Sequence, residues 1–193
     1  MTVQEDRVLP VENLPQAKVI LSKAFSLKDE MDKVAKKPEK SFRVYPFKIG
    51  KSKVQVKLVG EFFTNNIIVS SEYNSHSFGF KFNNPQDAII FDEIFSSIVT
   101  DVITEELPES YHEWSYYPLF KEENELWLKL KYDTAKTAYK TVCNLKIFPK
   151  KHADAPFNSS DSVNLTVEPS AYLNFSNKTY GVCLNVKEIF VVQ

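Results

Sequence analysis

The chain has 193 residues, a formal net charge of −1 and a hydrophobic fraction of 43%. This length suits one ordinary domain, and this apolar content is enough for a packed core, which excludes wholesale disorder. The 15 Phe, 9 Tyr and 2 Trp favour a β-rich fold, whereas only four Gly argue against an enzyme built on tight phosphate loops.

The N-terminal part differs in character from the rest of the chain. Residues 1–40 are polar, and prolines interrupt a weak helical pattern from Gln16 to Lys37. We predict an N-terminal arm with short helices over 1–40 and one β-rich domain over 41–193. Because signal-peptide features and membrane-length apolar runs are absent from the sequence, we expect an intracellular protein that is not secreted and has no membrane partner.

Period-two alternation of apolar and polar residues, which is typical of half-buried strands, begins at residue 41. It stops once, where Asn84 and Pro85 are typical of a helix start. Apolar residues then recur at three- and four-residue spacing from Ala88 to Val102, which predicts one amphipathic helix over 85–105 that packs on a sheet. The predicted strands are Ser41–Ile49, Lys53–Val59, Ile67–Ser71, Ser77–Phe82, Leu126–Tyr132, Tyr139–Phe148, Val163–Val167, Ala171–Phe175 and Tyr180–Val192.

The sequence shows no catalytic, cofactor or metal-binding motif. The glycines match no phosphate-binding loop, and Cys143 and Cys183 have no zinc-ligand spacing. Cys143 lies in a strand pattern where a buried, inert thiol is expected. We therefore predict a protein that is not an enzyme and has no cofactor. A pocket with converging acids, or one that holds His76, His112 and His152, would reverse that prediction.

Charge is segregated along the chain. Residues 36–57 hold eight basic side chains against Glu39 alone, and residues 129–151 hold seven lysines against Asp133 alone. Between them, residues 87–125 hold eleven acids. Each block is compatible with a solvated face, but the segregation favours a protein whose two basic regions meet a polyanion.

Basic residues alternate with aromatic rings on three predicted strands. Single-stranded nucleic acid offers phosphates and unstacked bases, so a binding groove needs cations and exposed rings close together, which alternate residues of a strand supply. On the strand around Trp127, that ring shares a face with Lys129 and Lys131. The predicted phosphate ligands are Arg43, Lys48, Lys53, Lys57, Lys129, Lys131 and Lys140, and the predicted stacking rings are Tyr45, Phe47, Trp127 and Tyr139.

The last strand carries a family resemblance. Its Gly181, Leu184 and Ile189 fit a Gly-hydrophobic-x-Leu-x-x-x-x-hydrophobic pattern, and the β-rich body has one helix between two groups of strands. These features resemble the OB-fold single-stranded DNA-binding proteins of tailed phages and large DNA viruses. The resemblance implies a mainly β (α+β) fold, an OB-like β-barrel with one amphipathic packing helix and an N-terminal helical arm. It also implies single-stranded DNA binding with little sequence preference in replication, recombination or repair.

The resemblance extends to partners. Such proteins usually end in an acidic tail that recruits replication proteins, and here the internal acidic segment 105–125 is the candidate substitute. The nucleic acid is DNA in this interpretation, with RNA as the open alternative, and a homo-oligomer is compatible with the sequence. The rival hypothesis is a β-sandwich for protein interaction or virion structure, in which the rings form the core and no continuous basic groove exists.

Overall fold

Twelve of the fourteen strands described belong to one extended sheet. In the computed structural model, the residues described are 8–21, 36–37, 42–65, 67–70, 75–106, 113–133, 135–136, 138–144 and 158–192. One long α-helix, α1, covers Pro85–Glu106, and a short 3-10 helix covers Val11–Gln16. Within those ranges the strands are β1 Val8–Pro10, β2 Val19–Leu21, β3 Phe42–Ile49, β4 Ser52–Lys53, β5 Gln55–Phe62, β6 Ile68–Ser70, β7 Ser75–Phe82, β8 Ser115–Tyr117, β9 Glu125–Leu130, β10 Tyr132–Asp133, β11 Ala138–Tyr139, β12 Val142–Cys143, β13 Ser162–Asn174 and β14 Thr179–Val191.

Strand β13 is the centre of the sheet. It pairs antiparallel with β14 along one edge, while its other edge pairs first with β5 and then with β3. Strand β5 continues to β7, and β7 to β9. Strands β8 and β12 pair in parallel with the far edge of β14. Among the described strands no pairing closes this sheet into a ring. The predicted β-rich fold with one long packing helix is therefore confirmed, and the closed barrel stays a prediction.

The predicted break between two C-terminal strands is wrong, because β13 runs unbroken through Pro169. Proline cannot donate a ladder hydrogen bond, so it is tolerated only where a strand edge lacks a partner. Pro169 meets this condition, since the pairing with β5 ends at Val167 and the pairing with β3 begins at Ser170.

A β-bulge changes the phase of β14. Thr166 faces Glu188 and Val167 faces Val186, so Lys187 is the extra residue of the bulge. Before it Tyr180, Val182 and Val186 are buried, whereas after it Ile189 and Val191 are buried. The bulge turns odd-numbered residues such as Gly181 and Cys183 outward in the first half of the strand.

Helix α1 covers the inner side of the sheet. Its start is the predicted one, because the Gln86 N–H donates to Asn84 Oδ1 at 3.1 Å. The buried stripe drifts from the predicted one, since Val99 and Ile103 are in the core while Ile98 and Val102 flank it. Rings of the helix meet rings of the sheet, with the Phe95 centroid 4.8 Å from that of Phe47. None of the helices described is long and apolar enough to cross a membrane.

The N-terminal residues of the described part join the sheet. Strand β1 pairs in parallel with β5, and β2 pairs antiparallel with β3. The helical pattern predicted from Gln16 is therefore wrong for Val19–Leu21, while residues 22–35 lie outside the described part. The C-terminal end of the predicted strand Tyr139–Phe148, residues 145–148, also lies outside it. The predicted division at residue 40 stays a prediction.

The core location of Phe47 predicts a large stability effect. Replacing this fully buried ring in Phe47→Ala removes its contact with α1 and leaves a cavity, so we expect the free energy of unfolding to fall by about 3–5 kcal/mol. Urea denaturation followed by circular dichroism measures this change. Phe42→Ala on the exposed face of the same strand is the matched control, with an expected loss under about 1 kcal/mol. Equal losses in the two variants would contradict the placement of Phe47 in the core.

Candidate nucleic-acid interface

The faces of β9 separate as the alternation predicts. Leu126, Leu128 and Leu130 are buried, whereas Trp127 is 40% exposed and Lys129 is exposed beside it. Strand β9 pairs with β7, so the outward residues of both strands form one surface. An indole on a lysine-bearing face is thus available to solvent, which stacking on a base requires.

A second ring holds the Trp127 indole in place. The Phe63 ring meets it edge-on, with centroids 5.1 Å apart and planes at 90°. Beneath Phe63 lies Gly79, which is the register partner of Trp127 on β7. A Cβ at Gly79 would come within 2.3 Å of Phe63 Cε2, so only glycine lets that ring lie across the strand. The Phe63 N–H also donates to the Gly79 carbonyl at 3.1 Å.

The cations beside this ring pair differ in their surroundings. Lys81 faces Glu61 on one neighbouring strand and Glu125 on the other, so acids balance its charge. Lys129 faces Ser77, and Lys131 follows on the same face of the chain. These two lysines are the better phosphate ligands. We call Phe63, Gly79, Trp127, Lys129 and Lys131 the tryptophan surface.

The loop after β9 brings another predicted cation close. The Lys140 N–H donates to the Lys131 carbonyl at 3.0 Å, and the Lys140 side chain is exposed. Tyr139 beside it is only half-exposed, and its hydroxyl lies 2.8 Å from His76 Nδ1. Burial, and then the neighbouring Tyr132, raises the pKa of Tyr139 to about 12. Tyr139 therefore anchors the β10–β11 hairpin, and its stacking role stays a prediction.

The prediction that two rings of β3 stack on nucleic acid must be corrected. Tyr45 is buried and Phe47 is 0% exposed, because their face of the strand points inward, where Phe47 meets α1. A base cannot reach a core ring, so the prediction that these two rings stack on nucleic acid is wrong. Arg43 lies on the same inward side and is half-buried.

The remaining predicted cations are dispersed. Lys48 and Lys53 are register partners on β3 and β4, and Lys53 Nζ lies 3.4 Å from Glu168 Oε1. Lys57 is exposed on β5 opposite Thr166. The structure therefore brings Trp127, Lys129, Lys131 and Lys140 together, and it places Lys48, Lys53 and Lys57 elsewhere on the sheet.

The outward faces of β3, β13, β14 and β8 carry a second ring cluster, which the alternation pattern did not single out. Phe42 is 52% exposed and stacks on Tyr172, with centroids 5.3 Å apart and planes at 19°. A Cβ at Gly181 would lie 3.1 Å from Tyr172 Cε1, which means that the Tyr172 ring lies over the bare backbone of β14. Tyr117, beyond Gly181 on β8, is 59% exposed. We call Phe42, Val44, Tyr117, Tyr172 and Gly181 the tyrosine surface.

Strands β9 and β14 contact each other, so the two surfaces adjoin, and the electrostatics of their side chains agree. Burial raises the pKa of the Cys183 thiol to about 11, and the positive charge of Lys131 acts on the same thiol in the opposite direction. Burial also raises the pKa of Tyr172 to about 12, with Cys183 and then Tyr117 as further causes. Lys131 at the end of the tryptophan surface is thus near Cys183, which itself neighbours Tyr172.

Acidic side chains gather on the helix side of the molecule. A groove of about 340 Å³ lies between α1 and the segment before β9, and its lining includes Asp92, Glu93, Glu122 and Glu123. Burial, and then the charge of Glu93, raises the pKa of Asp92. Within the ranges described, no three or more His, Cys, Asp or Glu side chains are placed to hold a metal ion. Glu93, Glu122 and Glu123 are exposed and Asp92 is half-buried, so this is an open, solvated acidic groove and not the pocket of converging acids that would favour an enzyme.

Comparison with known proteins gives a partial likeness in structure. No protein-family model matches the chain, and no curated protein matches its sequence. Among solved structures, the chain is similar to gp2.5, a single-stranded DNA-binding protein encoded by bacteriophage T7. The match has a TM-score of 0.39 at 15% identity and covers 74% of this chain and 87% of that one.

Gly79→Ala tests the support beneath the tryptophan surface. The added Cβ would overlap the Phe63 ring, so we expect that ring to move and the free energy of unfolding to fall by about 1–3 kcal/mol. In a Trp114→Phe background, which leaves Trp127 as the one indole, its fluorescence emission should shift. Gly50→Ala in an exposed turn is the control for the emission. An unchanged spectrum in Gly79→Ala would contradict the ring arrangement.

The raised pKa values of three tyrosines predict a loss of stability at alkaline pH. Tyr116, Tyr139 and Tyr172 each have a pKa raised from 10.0 to about 12, with burial as the main cause. Between pH 10 and 12 these tyrosines ionise in the unfolded chain but stay neutral in the folded protein. Their contribution to stability is therefore complete below pH 10 and is lost as the pH rises from 10 to 12. Urea midpoints across this window measure the fall, which should be less steep in Tyr139→Phe. A flat profile would contradict the shifts.

Proposed function

We propose that this chain is a non-enzymatic protein that binds single-stranded DNA with little sequence preference. The observation that carries the proposal is the tryptophan surface, where an exposed Trp127 is held by Phe63 beside Lys129 and Lys131. Stacking on an indole requires only the flat face of a base, which every base has, so the contact tolerates any sequence. The lysines on the same face supply the phosphate contacts.

The rigidity of the rings supports the proposal. Phe63 lies over Gly79 and contacts Trp127 edge-on, so the indole loses little further freedom when a base stacks on it. The rival β-sandwich hypothesis places the rings in the core. Ten of the described rings, Phe47 among them, are in the core, but Trp127, Phe42 and Tyr117 are exposed, which favours the binding hypothesis.

The finer parts of the proposal concern biological setting. A role in replication, recombination or repair agrees with binding that tolerates any sequence, and replication proteins are the partners proposed with it. We place the protein inside the cell. The likeness to gp2.5 carries no weight at its TM-score, so the proposal depends on the geometry of the sheet face.

Anisotropy of a labelled oligothymidine tests the function. Trp127→Ala should weaken binding by about 5- to 150-fold, because one stacked base contributes about 1–3 kcal/mol. Binding of the unchanged protein should fall as salt is raised and should resist competition by duplex DNA. An oligouridine of equal length separates DNA from RNA binding.

Phe190→Ala is the matched control, because Phe190 is 46% exposed on β14 but lies opposite Asn164, outside both ring surfaces. Its affinity should equal that of the unchanged protein. Absence of binding at low salt would refute the function, and equal weakening by both alanine variants would refute the role of Trp127.

A further inference from the structure

The tyrosine surface has the properties of a second stacking site. Phe42 and Tyr172 already stack on each other, and the other side of Phe42 faces solvent. Outward side chains on the four strands of this surface include two acids, Glu168 and Glu188. Lys53 is the ion-pair partner of Glu168, and Glu188 lies after the bulge of β14, opposite Thr166 and away from the rings. The acid nearest to these rings on the outward rows is therefore the one that Lys53 balances.

Lys131 lies where the two surfaces meet. It continues the outward row of Trp127 and Lys129 at the end of β9, the strand that contacts β14, and its charge acts on Cys183 of β14. Cys183 is on the outward side of β14, two residues from Gly181 and opposite Ser170. A phosphate held by Lys131 would thus have Trp127 on one side and Tyr172 on the other.

The distances suit a single strand of nucleic acid. From Trp127 to Lys131 the chain advances about 13 Å along β9, and from Gly181 to β3 the sheet spans about 10 Å. The step from Cys183 to Gly181 along β14 adds about 7 Å, so the path is on the order of 30 Å long. Known single-strand sites of OB folds hold about 4–16 nucleotides, so one strand of moderate length can reach both surfaces.

We infer that one DNA strand crosses both surfaces, stacking on Trp127, passing Lys131 and stacking again on the Phe42–Tyr172 pair. The inference depends on the proposed function, and it adds Phe42, Tyr172 and Tyr117 as further binding residues. A strand long enough to reach both sites binds the second one intramolecularly, so its affinity exceeds that of a short strand by more than its extra charge explains. Short strands occupy one surface at a time.

Strand length separates the two sites experimentally. Oligothymidines of about 4 and about 16 nucleotides are titrated against Phe42→Ala, Trp127→Ala and the control Phe190→Ala. Phe42→Ala should weaken binding of the long strand by about 5- to 150-fold. It should weaken binding of the short strand by less than about twofold, because the short strand can still bind at Trp127. Thermal unfolding of Phe42→Ala verifies its fold.

The charge of Lys131, where the two surfaces meet, can be tested separately. Lys131→Glu should weaken binding of the long strand far more than Lys18→Glu does. The Lys18 variant is the control, because it makes the same change in net charge at an exposed position before β2. In a Cys143→Ser background, the long strand should slow alkylation of Cys183 by N-ethylmaleimide, whereas the short strand should slow it much less.

The outcomes separate this inference from the proposed function. In one outcome, Trp127→Ala weakens binding of both strands, Phe42→Ala leaves binding unchanged, and DNA does not slow the alkylation of Cys183. The inference is then refuted, and DNA binding at the tryptophan surface stands. If no oligonucleotide binds, both are refuted. The inference is supported if Phe42→Ala weakens binding of the long strand and the long strand protects Cys183 from alkylation.

Discussion

The pairing of β13 along both edges is the constraint on which the rest of the structure depends. Because β14 occupies one edge while β5 and β3 share the other, the alternation of β13 fixes which side chains of all four strands face solvent. Leu165, Val167 and Leu173 are thereby directed into the core, and Tyr172 is directed outward. The bulge at Lys187 then sets the phase of β14 so that Gly181 lies beside Tyr172. A shift of one residue in this register would bury Tyr172 and expose the core.

Glycine allows large rings to lie on the outside of this sheet without losing their orientation. Gly79 lies under Phe63, and Gly181 lies under Tyr172, so each ring covers bare backbone where a side chain would otherwise stand. Rings fixed in this way have already lost much of their rotational freedom, which lowers the entropic cost of stacking a ligand on them. Two of the four glycines in the chain thus serve ring placement, although a low glycine count had indicated only that phosphate loops are absent.

The sequence predicts β9 well and β3 poorly, and the difference has a physical cause. In β9 one face is wholly leucine, so the burial of Leu126, Leu128 and Leu130 follows from alternation alone. In β3 both faces carry rings, and only the position of α1 decides that Phe47 is buried while Phe42 is exposed. The tyrosine surface was missed for a related reason. Its parts come from β3, β8, β13 and β14, and the parallel pairing of β8 with β14 joins segments about 60 residues apart, which local patterns do not reveal.

A net charge of −1 places a limit on how this chain can bind a polyanion. If the proposed function is correct, the acids that balance its lysines must lie away from the proposed binding face, and the groove lined by Asp92, Glu93 and Glu122 on the α1 side meets that need. On the sheet face the cations without an acid as register partner are few, since Glu61 and Glu125 flank Lys81 and Glu168 pairs with Lys53. Counterion release grows with the number of phosphates neutralised, so in the proposed binding mode it makes binding salt-dependent but supplies only part of the affinity. The two ring clusters of the proposed path would supply the rest, because stacking provides affinity that salt does not screen.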